Sequence, residues 1–227
     1  MKIIEKRTED FSPYNHITFL RLDPEDLSLT INQIIHVFSD LSWISQFDQD
    51  YIKSSFEQRA KETAAYLSNE LNNNDTSNVT ISTGEYVVSE LARESLVSEL
   101  KYADVPLAEL FKEKVAKNSG FDYYSENNKI IIFGEAKYLS DKNAYGSGMK
   151  QVARFIRDRQ DISDLADIDK FFSDEALSAA NNGSKSYSIA FSTKKTSSDR
   201  IIEGIKRNKQ YMDLIKHKEL IFIAVNI

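Results

Sequence analysis

Residues Gly120 to Tyr138 read GFDYYSENNKIIIFGEAKY, a polar segment followed by an apolar one. Three consecutive isoleucines begin the second half, and such a run is typical of a strand that is buried on both faces. Asn127 and Asn128 precede that strand, and asparagine tolerates the left-handed backbone of a tight turn. The segment therefore predicts a hairpin in which a polar strand pairs with a buried one.

Three charged residues are predicted to share one face of this hairpin. Side chains alternate along a strand, so Glu135 and Lys137 lie on the same face. A turn at the asparagine pair places Asp122 opposite Phe133, on that same face and about 7–8 Å from Glu135. Two carboxylates with a backbone carbonyl suit magnesium, which prefers oxygen ligands and keeps several waters. A divalent metal site beside a lysine is therefore predicted at the rim of the sheet.

A structural ion pair is the alternative interpretation of these charges. An acid two residues before a lysine is common by chance in a chain of this composition, as Glu99 and Lys101 show. Glu135 differs from such pairs because it stands at the end of a strand that is predicted to be buried. Burial of a carboxylate and an ammonium at the end of an isoleucine strand is costly unless they pair or bind metal.

A helix is predicted upstream, over residues 82–96. Ser82 or Thr83 can cap its start, and Glu85 then lies in its first turn. Counting by the helical period places Glu85 in line with three apolar residues, Val88, Ala92 and Leu96. Glu85 is therefore a candidate catalytic residue and third carboxylate at the metal. A favourable charge at a helix N-terminus is an equally good explanation of its position.

This order of parts resembles the PD-(D/E)xK nuclease superfamily, which includes many restriction and repair endonucleases. The resemblance implies that Asp122, Glu135 and the carbonyl of Ala136 bind Mg²⁺, with Mn²⁺ able to substitute. It also implies that Lys137 positions or activates the attacking water and stabilises developing charge. Phe121 stands where the superfamily pattern has its proline, and that position is often substituted in the family.

A narrower resemblance covers about the middle third of the chain. Gly84 with Glu85, the tripeptide before Tyr123, and the motif from Gly134 to Tyr138 are similar to the HamA-like nucleases of the Hachiman anti-phage defence system. This resemblance implies a bacterial defence effector that a partner helicase holds and that degrades DNA once released.

Two other functions stay open. A site-specific restriction endonuclease of the same superfamily would produce discrete DNA fragments. A non-catalytic interaction module with the nuclease fold would bind a protein partner and cleave nothing. The presence of all the expected acids and the lysine argues against the module.

The polar run at residues 72–78 is the best internal boundary. It divides the 227 residues into an α-rich N-terminal extension, 1–75, and a nuclease-like core, 76–227. Near the C-terminus, the order strand, helix, strand indicates a crossover unit. The predicted fold is therefore α/β, a mixed central β-sheet flanked by helices with a restriction-endonuclease-like core.

Composition excludes several functions. The absence of cysteine rules out thiolate metal sites and cysteine nucleophiles, and it suits a reducing cytoplasm. No glycine-rich phosphate loop precedes a helix, which argues against a kinase or nucleotide-driven motor. No apolar run is long enough to span a bilayer, so we expect a cytoplasmic protein without membrane contact.

A net charge of −6 argues against indiscriminate binding of the isolated chain to nucleic acid. Lys150, Arg154 and Arg157 nevertheless recur at helical spacing, on a helix that directly follows the active-site strand. They are candidate contacts to a DNA backbone, with an ordinary solvated face as the alternative. An acidic protein with one confined basic strip is a candidate for substrate delivery by a partner.

Overall fold

The computed structural model describes residues 1–73, 81–112, 120–140 and 142–227. In these residues the strands are β1 (Lys2–Arg7), β2 (Ile17–Asp23), β3 (Tyr123–Asn127), β4 (Ile130–Lys137), β5 (Ser186–Thr193) and β6 (Leu220–Asn226). The longer helices are α1 (Leu27–Ser39), α2 (Asp50–Asn73), α3 (Ile81–Leu100) and α5 (Tyr145–Arg157). The shorter helices are α4 (Ala108–Phe111), α6 (Gln160–Ile168), α7 (Asp174–Asn181), α8 (Ser198–Lys206) and α9 (Tyr211–Leu214).

The strands form one mixed sheet in the order β1-β2-β6-β5-β4-β3. The four central strands are parallel, and β1 and β3 run antiparallel to them at the two edges. Strand β5 connects to β6 through α8 and α9, as a crossover between parallel strands requires. The predicted α/β class, with a mixed central sheet flanked by helices, is confirmed.

Two apolar layers enclose the sheet, one on each face. On one face Met149 and Val152 of α5 belong to the same buried cluster as Phe133. On the other face Val88 of α3 belongs to the cluster that contains Ala136. Strand β4 therefore has the buried, two-faced environment that its isoleucines predicted. No helix among the described residues combines the length and apolarity needed to cross a membrane.

The N-terminal region contributes more to this sheet than its α-rich character suggested. Strands β1 and β2 lie in this region, and β2 pairs in parallel with β6. In β1 exposed and half-buried residues alternate, and its charged side chains hide the strand pattern at this edge. The predicted boundary between residues 75 and 76 lies outside the described residues, and the division into extension and core stays a prediction.

The hairpin turn lies one residue later than predicted. Asn128 and Lys129 occupy it, with left-handed φ angles of 50° and 63°. Asn127 instead pairs with Ile130 in the ladder. Both asparagines tolerate positive φ, so turn chemistry did not distinguish the two registers. The later turn changes each cross-strand pairing by two residues, so every side chain stays on its predicted face of the sheet.

Two helix boundaries also differ from the prediction. Helix α3 is described from Ile81 onward, so Ser82 and Thr83 are helical residues and neither is its N-cap. The helix expected between the last two strands is interrupted between α8 and α9. The Asn208 side chain accepts the backbone N–H of Gln210 at 3.0 Å, an interaction that competes with helix continuation.

Candidate active site

The C-terminal end of β4 carries the buried acid and the lysine that the sequence singled out. Glu135 is fully buried, and the Lys137 side chain is 17% exposed. The Lys137 Nζ atom lies 2.9 Å from Glu135 Oε1 and 3.0 Å from Glu85 Oε1. Lys137 therefore joins the strand acid to the acid of helix α3.

Asp122 lies against this end of β4, just before β3 begins. Its Oδ2 accepts the backbone N–H of Ala136 at 2.7 Å, and its own N–H donates to the Gly134 carbonyl at 2.9 Å. The predicted position opposite Phe133 is wrong, because Tyr124 pairs there in the observed register. The hydrogen bond from the Ala136 N–H places the Asp122 carboxylate beside the residue that follows Glu135.

Two glycines allow the elements of the site to approach closely. A Cβ at Gly84 would overlap the ring of Tyr138, so this glycine lets α3 pack directly on the residue after β4. A Cβ at Gly134 would overlap the ring of Tyr123 on the neighbouring strand. Both glycines belong to the motifs that carried the narrower resemblance. Their role here is steric: Gly84 brings Glu85 to the sheet rim, and Gly134 accommodates the Tyr123 ring.

The Glu135 carboxylate is incompletely satisfied. Neither of its oxygens accepts a hydrogen bond of good geometry from a described residue, although Oε1 lies within ion-pair distance of Lys137. Leaving a buried carboxylate with so little compensation is destabilising. The predicted alternative, a purely structural ion pair, accounts for Oε1 alone. A cation bound on the Asp122 side would satisfy the rest, so the site fits a divalent metal.

The acids of the site disfavour one another's ionisation. Burial raises the pKa of Glu135 well above its usual range, and the charge of Asp122 raises it further against the opposing effect of Lys137. Burial also raises the pKa of Asp122 to about 6, although Lys137 and the Ala136 N–H favour its charged form. A bound divalent cation would reverse this preference, because it stabilises both carboxylates in their charged form.

Lys137 is held in its protonated form. Burial by itself lowers the pKa of this ammonium, but the charges of Glu135, Asp122 and Glu85 outweigh burial and raise it above its ordinary value. A protonated lysine donates hydrogen bonds and stabilises negative charge, and it cannot accept a proton. Of the two roles that the resemblance implied, this environment favours positioning and charge stabilisation over activation of water as a base.

The sequence did not identify Glu109 as part of this site. Helix α4 carries it and docks on the aspartate segment, where the Ala108 N–H donates to the Asp122 carbonyl at 3.0 Å. Glu109 Oε2 is buried and has no hydrogen-bond partner among the described residues. Burial and the charge of Asp122 raise the pKa of Glu109 to about 8. One signal existed: Glu109 is the single acid between Val105 and Phe111.

No three His, Cys, Asp or Glu side chains in the described part of the chain are grouped closely enough to hold a metal ion by themselves. The predicted ligand set uses two side chains, Asp122 and Glu135, with the carbonyl of Ala136. Magnesium commonly binds through one or two carboxylates and keeps several waters. The proposed coordination is therefore an open one, with positions left for water and substrate.

A basic cleft opens beside Lys137. Helix α5 presents Lys150, Arg154 and Arg157 as exposed side chains, as predicted, and all three line this cleft of about 480 Å³ together with Lys137. Gly148 lets α5 pack closely on the sheet, since a Cβ there would lie 2.7 Å from Ile189 Cγ2 and 3.8 Å from Lys137 Cγ. The three predicted DNA-contacting residues therefore share a cleft with Lys137, one of the four predicted catalytic residues.

Comparisons of the chain with protein-family models, with curated proteins and with solved structures found no match in any of the three. The resemblance to PD-(D/E)xK nucleases, and to the HamA-like family within them, therefore stays a prediction.

Proposed function

We propose that this protein is a metal-dependent phosphodiesterase that cleaves DNA. The observation that carries the proposal is Glu135, a fully buried side chain whose oxygens accept no hydrogen bond of good geometry from a described residue and which lies 2.9 Å from the Lys137 Nζ atom. Asp122 adjoins it, and the rim opens into a basic cleft. Carboxylates for a cation, a fixed ammonium and a polyanion-binding surface together suit hydrolysis of a phosphodiester.

Asp122, Glu135 and the Ala136 carbonyl would hold Mg²⁺ or Mn²⁺, which neutralises a phosphate and lowers the pKa of bound water. Lys137 donates hydrogen bonds toward the attacking water and toward the charge that develops on the phosphate. Glu85 and Glu135 both contact this ammonium, so they hold it between helix α3 and strand β4. The Ala136 N–H fixes Asp122, so the acid is oriented before substrate arrives.

A matched pair of double variants tests this assignment. Glu135→Gln with Lys137→Met removes the charges of the site, whereas Glu99→Gln with Lys101→Met makes the same changes in an exposed Glu-x-Lys at the end of α3. Cleavage of plasmid and single-stranded DNA is followed in Mg²⁺ and in Mn²⁺. We expect the first variant to lose at least about 1,000-fold in rate, comparable to the loss of a key charge-stabilising group. The second variant should cleave like the wild type.

Equal rates for the two double variants would show that the site assignment is wrong. Absence of cleavage by the wild type in either metal, together with a stable complex with another protein, would favour the non-catalytic module.

We further propose that the protein acts in the bacterial cytoplasm as a defence effector and that a partner helicase controls its access to DNA. The short motifs that resemble HamA-like nucleases support this, and so does the contrast between a net charge of −6 and one confined basic cleft. Co-purification with the product of an adjacent helicase gene tests it. A chain that purifies alone and degrades DNA without restraint in cells would contradict partner control.

A further inference from the structure

We infer that the turn between α8 and α9 extends the basic cleft into a phosphate track, so that DNA is bound through its backbone and not through its bases. The phosphate track is defined by Lys150, Arg154 and Arg157 of α5 with Lys209 and Gln210 of the turn. This inference rests on the proposed function and adds to it the way in which the substrate is recognised.

The track is longer than the cleft beside Lys137. A second cavity of about 600 Å³ continues from it toward Lys216 at the far end of α9. Arg157, Lys209 and Gln210 line both cavities. The two cavities therefore form one groove, which begins at the site lysine and runs between α5 and the α8–α9 region. A substrate bound at Lys137 has a continuous path along this surface.

Charge is distributed unevenly along the groove. Lys150, Arg154 and Lys209 are exposed, and none of them has an ion-pair partner among the described acids. Further along, Arg157 pairs with Asp158 at 3.2 Å, and Lys216 pairs with Asp213 at 2.7 Å. The uncompensated cations thus gather at the end near the site, where a polyanion would gain the most from them.

The turn that supplies Lys209 is held in place. The Asn208 carbonyl accepts the N–H of Tyr211 at 3.0 Å, and the Asn208 side chain accepts the N–H of Gln210 at 3.0 Å. A Cβ at Gly146 would lie 3.7 Å from the Asn208 amide nitrogen, so the turn packs next to the first residues of α5. A break in the helix thereby directs an exposed lysine into the groove of a neighbouring helix.

The groove offers cations and short aliphatic side chains rather than rings. Its apolar lining is made of Ala153, Ile156 and Leu214. Among the described lining residues only His217 has a ring, and that ring packs edge-on against Tyr187 with centroids 4.6 Å apart. Single-stranded nucleic acid bound through its bases is usually stacked on aromatic side chains. Phosphate contacts carry no sequence information, so the groove favours general degradation over site-specific cleavage.

The test measures binding in the absence of cleavage. Fluorescein-labelled single-stranded and duplex DNA oligonucleotides, each in two unrelated sequences, are titrated with the full chain in EDTA, and Kd is taken from fluorescence anisotropy at several salt concentrations. We expect Lys209→Ala to weaken binding about 3- to 10-fold, equally for both sequences of a given type. Its log–log salt slope should fall by about 0.7–0.9, as for one lost phosphate contact.

Two further variants control for charge and for folding. Lys61→Ala removes an equal charge from the exposed surface of α2 and should leave Kd and slope unchanged. Lys209→Arg keeps the cation and should restore binding. The inference is overturned if the wild type does not bind, if Lys209→Ala binds like the wild type, if Lys61→Ala has the same effect, or if affinity falls for one sequence only.

The two proposals fail separately. If Glu135→Gln abolishes cleavage while Lys209→Ala binds DNA normally, the phosphate track is wrong and the proposed function stands. If Glu135→Gln cleaves at the wild-type rate while Lys209→Ala loses affinity, the proposed function is wrong and the phosphate track stands.

Discussion

Asp164 of α6 is nearly as buried as Glu135, at 1% exposure against 0%, yet its surroundings are the opposite. It accepts hydrogen bonds from the Tyr124 hydroxyl at 2.5 Å and from the Phe121 N–H at 3.0 Å. Lys112 adds an ion pair at 3.1 Å. Among the described residues, Asp164 accepts hydrogen bonds and forms an ion pair, whereas Glu135 has only its ion pair with Lys137.

The same contrast holds for Asp161, which lies one turn earlier on α6. It is 2% exposed, accepts the Tyr187 hydroxyl at 2.7 Å and forms an ion pair with Lys185. Buried polar groups in folded proteins are almost always hydrogen-bonded, and exceptions concentrate where a ligand or a reaction needs them. This contrast supports a structural role for the pair Asp161 and Asp164 and a binding role for the incompletely satisfied Glu135.

The largest expected effect is a difference in the sign of the change in the free energy of unfolding when Asp164 or Glu135 is replaced by its amide. Asp164→Asn removes the charge that compensates Lys112 and should lower the free energy of unfolding by about 3 kcal/mol. Glu135→Gln replaces an acid whose ionised form is poorly compensated, and it should leave the metal-free protein as stable as the wild type or up to about 2 kcal/mol more stable. Urea unfolding in EDTA measures both. Destabilisation of similar size in both variants would contradict the comparison.

The next effect is a dependence of stability on pH. The pKa of Asp122 is raised to about 6 and that of Glu109 to about 8, so the folded state holds protons that the unfolded state releases at lower pH. The contribution of these two acids to the stability of the metal-free protein is therefore full below about pH 4 and is lost as pH rises to about 8. The loss should be several kcal/mol, since one unit of pKa is worth about 1.4 kcal/mol.

The variant Glu109→Gln separates the contribution of Glu109 to this pH dependence from that of Asp122. It should remove the decline in stability between about pH 6 and pH 8 and reduce the decline below pH 6, where Asp122 also contributes, because the amide does not titrate. Thermal unfolding in EDTA across this range is the measurement. A decline of unchanged size in the variant would mean that Glu109 does not contribute to the instability of the site.

A smaller effect is expected from the close approach of α3. Gly84→Ala introduces a Cβ that overlaps the Tyr138 ring, and it should cost about 1–3 kcal/mol while it displaces Glu85 and slows cleavage. Gly146→Ala in α5 is the matched control, because the nearest atom to its Cβ lies 3.7 Å away. Alanine is the better helix former, so the control should be neutral or slightly stabilising. Equal effects would contradict the steric role of Gly84.

Much of the fold could be predicted from hydrophobic pattern alone. The isoleucine strand, the basic helix and the final strand–helix–strand unit all appear where their periodicity placed them. The pairing register of the β3–β4 hairpin and the break between α8 and α9 could not be predicted from this pattern. Asn127 and Asn128 are equally suited to a turn, and Asn208 interrupts a helix only through contacts that the local pattern does not show.

The candidate site was predicted in part, because only some of its residues are close to one another in the sequence. Asp122, Glu135 and Lys137 lie within one hairpin, so strand parity was enough to group them. Glu109 joins them through the docking of a four-residue helix, and that long-range contact leaves only one isolated acid as a sequence signal. Lys209 reaches the groove for a similar reason, through the unpredicted break after α8.

Metal binding itself tests the central claim most directly. Mn²⁺ is titrated into the wild type, into the double variant Asp122→Asn with Glu135→Gln, and into the Glu99→Gln control by isothermal titration calorimetry. Buffers of different ionisation enthalpy report the protons released. We expect the wild type and the control to bind Mn²⁺ at this site with proton release near pH 6, because the cation displaces protons from acids of raised pKa, and we expect the double variant to lose that binding. Binding of equal stoichiometry and affinity in the double variant would contradict a metal site at these two acids.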